Sequence, residues 1–237
     1  MKKLQHAVDA DYHDYYDGER PYEECWKECF CERYTTDLIR AIWSWSPPYK
    51  LLDSGSANGL TLAAFDSIGV EAWGVENSAY IHRRTPKEWR HRNLLGDVRK
   101  LPFEDRSFDF VYDTCLAHLP PEDLNQAVSE LYRVCRIGVF YGGHAADMTG
   151  KVVESFDVDD NIRSLFSLER WSEIFLRNGF KIATSDRRRL ARAWKIEQDA
   201  NASQISPWYA DAMSMRFCFY SRTDSIRTMN SKKMHRA

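Results

Sequence analysis

The chain has no dominant charge: 33 Lys and Arg stand against 35 Asp and Glu over 237 residues, a formal net charge of −2. No global basic field therefore draws it to nucleic acid. Arg187, Arg188, Arg189 and Arg192 form a dense local cationic cluster, which reads as a solvated helix face. Six cysteines in a chain of this size do not make a disulfide framework, and a reducing compartment is expected. Cys25, Cys29 and Cys31 are spaced C-x3-C-x-C, but on a helix Cys31 is turned away from the face that Cys25 and Cys29 share. Buried small hydrophobes are expected there rather than cluster ligands. No apolar run approaches the length that spans a bilayer, and residues 1–14, MKKLQHAVDADYHD, lack the hydrophobic centre of a signal peptide. The expected location is cytoplasmic, with no membrane partner. The sequence also lacks a nucleophile elbow, a phosphate loop and a convincing metal-ligand spacing, so no metal is expected.

What is present is a strand, a tight turn and a helix in succession. Leu51 and Leu52 form a short apolar run that breaks at Asp53 into the small residues SGSANG, and Leu60, Leu62, Ala63, Ala64 and Ile68 resume at helical spacing. About twenty residues on, Glu76 ends a second strand-like run, where an acid can hold ribose hydroxyls. The loop departs from the dinucleotide fingerprint, because Gly55 and Gly59 enclose Ser56, Ala57 and Asn58 and the middle glycine that admits a pyrophosphate is missing.

Around this unit, residues 21–45 carry Tyr22, Trp26, Phe30, Tyr34, Leu38, Ile39, Ile42 and Trp43 at helical spacing, ended by Pro47 and Pro48. Ahead of them residues 9–20 are acidic, rich in tyrosine and aperiodic. Downstream, strands are expected at 70–75, 93–95, 108–112, 138–141, 180–184 and 215–220, and helices at 79–90, 122–134, 168–178 and 188–198, with Gly179 as a helix stop. Strands alternating with helices imply an α/β fold with a mostly parallel sheet covered on both faces. The tail from 227 is polar, basic and aperiodic, the pattern of disorder.

The loop at Asp53–Gly59 resembles the first motif of the class I S-adenosylmethionine-dependent methyltransferase family, with Ala57 in place of the middle glycine. The resemblance extends over roughly 49–220. Gly96-Asp97, Leu101-Pro102-Phe103 and Ser107-Phe108-Asp109-Phe110-Val111 are similar to the family's stretch from the third strand to the fourth, and Leu131-Tyr132-Arg133-Val134 to the helix before the fifth strand. A Pro-Gly-Gly turn usual at that point is replaced by Arg136-Ile137-Gly138. The resemblance implies a Rossmann-like, mostly parallel seven-stranded sheet with helices on both faces. It also divides the chain into an N-terminal helical cap or lid at 1–48, a catalytic domain at 49–222 and a disordered tail at 223–237.

By the same resemblance Asp53, Gly55, Ser56 and Gly59 would cradle S-adenosylmethionine, with Asp53 orienting the loop and the amino end of the ligand. Glu76 and Asn77 would hold the ribose, Asp97 and Val98 the adenine, and Asp113 would also belong to the cofactor site. The alternative for Gly55 and Gly59 is an ordinary tight turn. His118, after the fourth strand, is the first candidate base, with packing as its alternative. Tyr141 and His144, after the fifth strand, would position an acceptor or satisfy strand-end hydrogen bonds. Tyr12, Tyr15 and Tyr16 fit a lid whose aromatic faces favour a sulfonium cation, and Tyr16 is placed among the catalytic candidates.

The resemblance implies methyl transfer to a small molecule under that lid, with no nucleic-acid partner and the oligomeric state open. Asn-Pro-Pro-Tyr or Asp-Pro-Pro-Tyr, the family's motif for exocyclic amines, is absent after the fourth strand. Two rival readings stand beside it. In one, a methyltransferase-like enzyme uses S-adenosylmethionine as its sole substrate, cyclising it to azetidine-2-carboxylate with release of 5′-methylthioadenosine. In the other, a binding protein has kept the fold and lost catalysis.

Overall fold

The computed structural model describes residues 50–67, 69–113, 115–141, 145–146, 162–182 and 218–222. The expected cap at 1–48, the helix at 188–198 and the tail lie outside the described residues, as do Tyr16 and His144.

Within them a seven-stranded sheet runs in the order β3-β2-β1-β4-β5-β9-β8. Its strands are β1 (Lys50–Ser54), β2 (Glu71–Glu76), β3 (Asn93–Leu95), β4 (Phe108–Asp113), β5 (Cys135–Tyr141), β8 (Phe180–Ile182) and β9 (Cys218–Arg222). Every pairing from β3 to β5 is parallel, and β9 runs antiparallel between β5 and β8. A separate two-stranded pair joins β6 (Ala145–Ala146) to β7 (Phe166–Ser167). The described helices are α1 (Leu60–Ser67), α2 (Ala79–His82), α3 (Leu124–Val134) and α4 (Leu168–Arg177).

The two central strands, KLLDS and FDFVYD, are buried nearly throughout, which is why they read as apolar runs rather than as an alternation. Successive side chains still leave on opposite faces. On one face Tyr112 meets Phe65 of α1 edge-on at 6.3 Å and stacks on Phe140 at 5.7 Å. On the other, Leu52, Val111, Val139 and Tyr141 join one apolar cluster with Val128 and Leu131 of α3 and Trp171 and Phe175 of α4. Helices thus cover both faces, as the alternation of elements implied.

Three local details differ from the sequence reading. The helix expected at 79–90 ends at His82. Pro86 has no N–H to continue it, and Thr85 before a proline is biased away from helical backbone. The fifth strand begins at Cys135, directly after α3, with no intervening turn. In place of Pro-Gly-Gly the register slips between Phe108 and Phe110, so that Arg136 and Ile137 on β5 lie opposite Asp109 alone, and Arg136 bonds the Asp109 carboxylate. The last strand, expected to end at 220, runs on to Arg222, two residues further along. Gly179, with φ 87°, ends α4 in the left-handed conformation expected of it.

Candidate active site

The chain leaves β1 for β2 on one side and returns to β4 on the other, so the strand order reverses between β1 and β4. Ligands of open α/β sheets bind at such a switch point, beyond the carboxyl ends of the strands. Ser54 and Asp113 face each other there in register, and the expected site residues of β1, β2 and β4 converge on this end.

Three residues of the loop after β1 have positive φ: Gly55 at 81°, Ala57 at 50° and Gly59 at 80°. Ala57 therefore occupies a left-handed position that favours glycine, which is where the family motif has one. The loop is clipped to the end of β2. Gly55 N and Ser56 N donate to Val75 O at 2.9 and 3.2 Å, and Ala57 N donates to Glu76 Oε2 at 3.0 Å. These N–H groups point into the protein rather than outward as an anion nest, which is a physical reason for the absence of a pyrophosphate cradle.

Glu76 is nearly buried, at 6 % exposure, and its second oxygen accepts from Ser78 N at 2.7 Å. Asn77, between them, is exposed. From the next strand Asn93, wholly buried, completes the clip: its Nδ2 donates to Ala57 O at 3.0 Å and Thr85 Oγ1 at 2.8 Å, and its Oδ1 accepts from Ser56 Oγ. Gly74 makes room for this, since a Cβ there would lie 2.4 Å from both Asn93 Oδ1 and Ser56 Oγ.

Gly55 meets a different neighbour from the one expected. A Cβ on it would lie 2.3 Å from Cys115 Cβ, so close approach at this glycine is made by the segment after β4. Cys115 Sγ lies 3.4 Å from Asp113 Oδ2 and 3.7 Å from Ser54 Oγ. Burial pushes its thiol well up, with the Asp113 charge adding to the effect.

Asp53 and Asp113, at the ends of β1 and β4, are both buried acids. Desolvation raises Asp53 to about 8, against a hydrogen bond from Thr61, and the Asp113 and Glu76 charges add to the rise. Asp113 is raised to about 6, again by burial first, although Ser54 Oγ, Leu116 N and the Cys115 thiol donate to its carboxylate.

Beyond β3, Asp97 is partly exposed and gripped by Arg99: Nε reaches both carboxylate oxygens at 3.0 Å, Nη2 reaches Oδ2 at 2.6 Å, and Arg99 N donates to Oδ1 at 2.9 Å. Burial works to raise the Asp97 carboxyl, but the Arg99 hydrogen bonds and charge outweigh it, and the net shift is downward. Val98 points into the core. His118 lies half-buried in the 3-10 turn Leu116–His118 after β4. Tyr141 is wholly buried, its ring 4.8 Å from Trp171 and 5.7 Å from Phe175, so it packs the core under α4 rather than lining a cleft. Ser54, Thr61, Ser78, Asn93, Arg99 and Cys115 were not singled out from sequence, and only Asn93, a polar residue opening an apolar strand, left a readable signal there.

A methyltransferase-domain family model matches residues 52–141, the stretch from β1 to the end of β5 that carries this site. Sterol methyltransferase-like 2 of Botryococcus braunii is 27 % identical over 169 residues, which is 61 % of this chain and 42 % of that protein. The chain thus spans about two-fifths of the length of this curated relative. Among solved structures, the Burkholderia thailandensis 1,6-didemethyltoxoflavin-N1-methyltransferase, bound to 1,6-didemethyltoxoflavin and S-adenosylhomocysteine, superposes with a TM-score of 0.59 at 15 % identity over 94 % of this chain and 90 % of that one. The [4+2]-cyclase SpnF superposes with a TM-score of 0.51 at 19 % identity over 81 % of this chain and 79 % of that one. Residues 52–141 thus match a methyltransferase domain, and the switch-point loop and strand order give the chain the fold that these structures share. Since the same fold also serves a cyclase, the fold alone does not set the reaction.

Proposed function

We propose that this chain transfers the sulfonium methyl of S-adenosylmethionine to a small-molecule acceptor, with residues 49–222 as the catalytic unit. The observation that carries the reading is the Glu76 carboxylate, held by Ala57 N and Ser78 N at the mouth of the switch point. A sulfonium nucleoside needs a loop that permits close approach, paired acceptors for a ribose diol, and anionic surroundings for its cation. The 55–59 loop, Glu76 and the buried acids Asp53 and Asp113 are assigned to these needs in turn. Asn77 and Asp97 are assigned to the ribose and the base, with Val98 packed in the core behind Asp97.

When bound, the cofactor supplies a methyl already activated as a sulfonium substituent. The chain's own work is then alignment, exclusion of water and removal of one proton from the acceptor. His118 is the residue proposed to take that proton, an imidazole being a common general base. A lid from 1–48 bearing Tyr16, with His144 across the cleft, completes the proposal as drawn from the sequence. Tyr141 enters it as a packing residue that sets the end of β5.

The test is product analysis. Purified protein incubated with S-adenosylmethionine and a panel of small nucleophiles is expected to form S-adenosylhomocysteine only when an acceptor is present. Release of 5′-methylthioadenosine without an acceptor would replace this reading with intramolecular cyclisation.

A further inference from the structure

Asp97 and Arg99 are two residues apart and both partly exposed, where an ion pair would ordinarily be loose and of little consequence. This pair is built differently. The Arg99 guanidinium lies across both Asp97 oxygens through Nε and Nη2, and its remaining arm, Nη1, reaches Asp123 Oδ2 at 2.5 Å. The main chain is held as well: Arg99 N donates to Asp97 Oδ1 at 2.9 Å, and Gln126 Nε2 donates to Arg99 O at 3.0 Å. Asp123 closes the 3-10 turn Pro121–Asp123, and Gln126 lies in the first turn of α3. One side chain therefore fastens the loop after β3 to the helix that follows the β4 turn. A planar fork held at both ends leaves the carboxylate between its arms little freedom to rotate. The net downward shift of the Asp97 carboxyl is consistent with a group kept ionised and accepting only.

Resting on the proposed use of a nucleoside cofactor, we infer that Arg99 is the positioning residue for base recognition, holding the Asp97 carboxylate as a fixed acceptor so that the site selects a 6-amino purine over a 6-oxo purine. A freely rotating carboxylate would turn aside or pair with water when a 6-oxo base was present. A clamped one presents its lone pairs in one direction and repels a carbonyl oxygen placed there.

The experiment compares binding of S-adenosylhomocysteine with its deaminated, 6-oxo analogue S-inosylhomocysteine by titration calorimetry. The proteins are the wild type, Arg99→Met, Arg99→Lys, Asp123→Asn and Asp97→Asn. The wild type is expected to prefer the 6-amino ligand by about ten- to a hundredfold, the range of one hydrogen bond to a charged group. Arg99→Met is expected to cut that ratio at least fivefold. Arg99→Lys, which keeps the charge but lacks the fork, and Asp123→Asn, which loosens the far anchor, are expected to fall between. If Arg99→Met weakens both ligands equally, or only lowers thermal stability, the residue is merely structural and the inference is overturned. If Arg99→Met does not fold, Asp123→Asn decides on the same ratio. If Asp97→Asn leaves the ratio unchanged, Asp97 does not read the base and the inference falls while the cofactor reading stands. If the wild type binds neither ligand, the cofactor reading itself is wrong.

Discussion

Replacing Glu76 by alanine separates two roles that this carboxylate is assigned. Its oxygens accept from Ala57 N at 3.0 Å and Ser78 N at 2.7 Å, and the residue is 6 % exposed. Truncation leaves both N–H groups without that acceptor. Each charge-assisted hydrogen bond contributes about 1.5–3 kcal/mol, and water entering from the open side of the crevice recovers part of the loss. A net destabilisation of about 2–4 kcal/mol is expected, which for a domain of this size lowers the melting temperature by roughly 5–15 °C. Binding of S-adenosylhomocysteine should weaken separately by about 1.5–3 kcal/mol, or roughly ten- to 150-fold, through loss of the ribose acceptor. Glu76→Gln offers a finer test. Its amide group sets a donor against one of the two N–H groups, so it should cost nearly as much stability as alanine despite its matching shape. Thermal unfolding and titration calorimetry on the same preparations read the two effects. Unchanged stability in Glu76→Ala would refute the clipped loop, and unchanged affinity would refute the ribose assignment.

Gly55→Ala should destabilise the protein by about 2 kcal/mol or more in urea unfolding, because φ is 81° and the added Cβ would lie 2.3 Å from Cys115 Cβ; a loss under about 0.5 kcal/mol would mean that the two segments are not in contact. Asp53→Asn should flatten the pH dependence of stability. The folded carboxyl is raised from 3.8 to about 8, so its favourable contribution is complete below the unfolded value near 4 and is lost as pH rises toward 8. Wild type should therefore lose unfolding free energy between pH 5 and 8 relative to Asp53→Asn, and parallel profiles would contradict the burial of an uncompensated acid. The partial shift of Asp113, to about 6, should leave a smaller slope of the same sign in the variant, confined to pH 4 to 6.

The sheet was largely legible because β1, β2 and β4 are short apolar runs ending in small or acidic residues, and runs of that kind follow from burial on both faces. Boundaries failed where local chemistry overrode periodicity. Pro86 cut the helix at His82, although Trp89 and Arg90 continue an acceptable pattern, and the bulge at Arg136–Ile137 let β5 start where a turn was expected. Glu76 could be picked out by its spacing from the loop, and Asp53, Asp97 and Asp113 through the family resemblance. Their partners could not be. Asn93 reaches Ala57 across 36 residues, and Arg99 reaches Asp123 across 24, contacts that only the folded register brings together. Tyr141 shows the same limit: from sequence it would position an acceptor or satisfy strand-end hydrogen bonds, whereas only the folded register shows that its parity in β5 turns the ring toward α4.

The central claim is that the switch-point crevice built on Glu76 and the 55–59 loop holds S-adenosylmethionine. Titration calorimetry of the full chain with S-adenosylmethionine and with S-adenosylhomocysteine tests it most directly. One site per chain is predicted, with a dissociation constant on the order of 1–100 μM, in the range where enzymes meet their substrates. No measurable heat of binding for either ligand up to about 1 mM, well beyond that range, from a protein that unfolds cooperatively would contradict it.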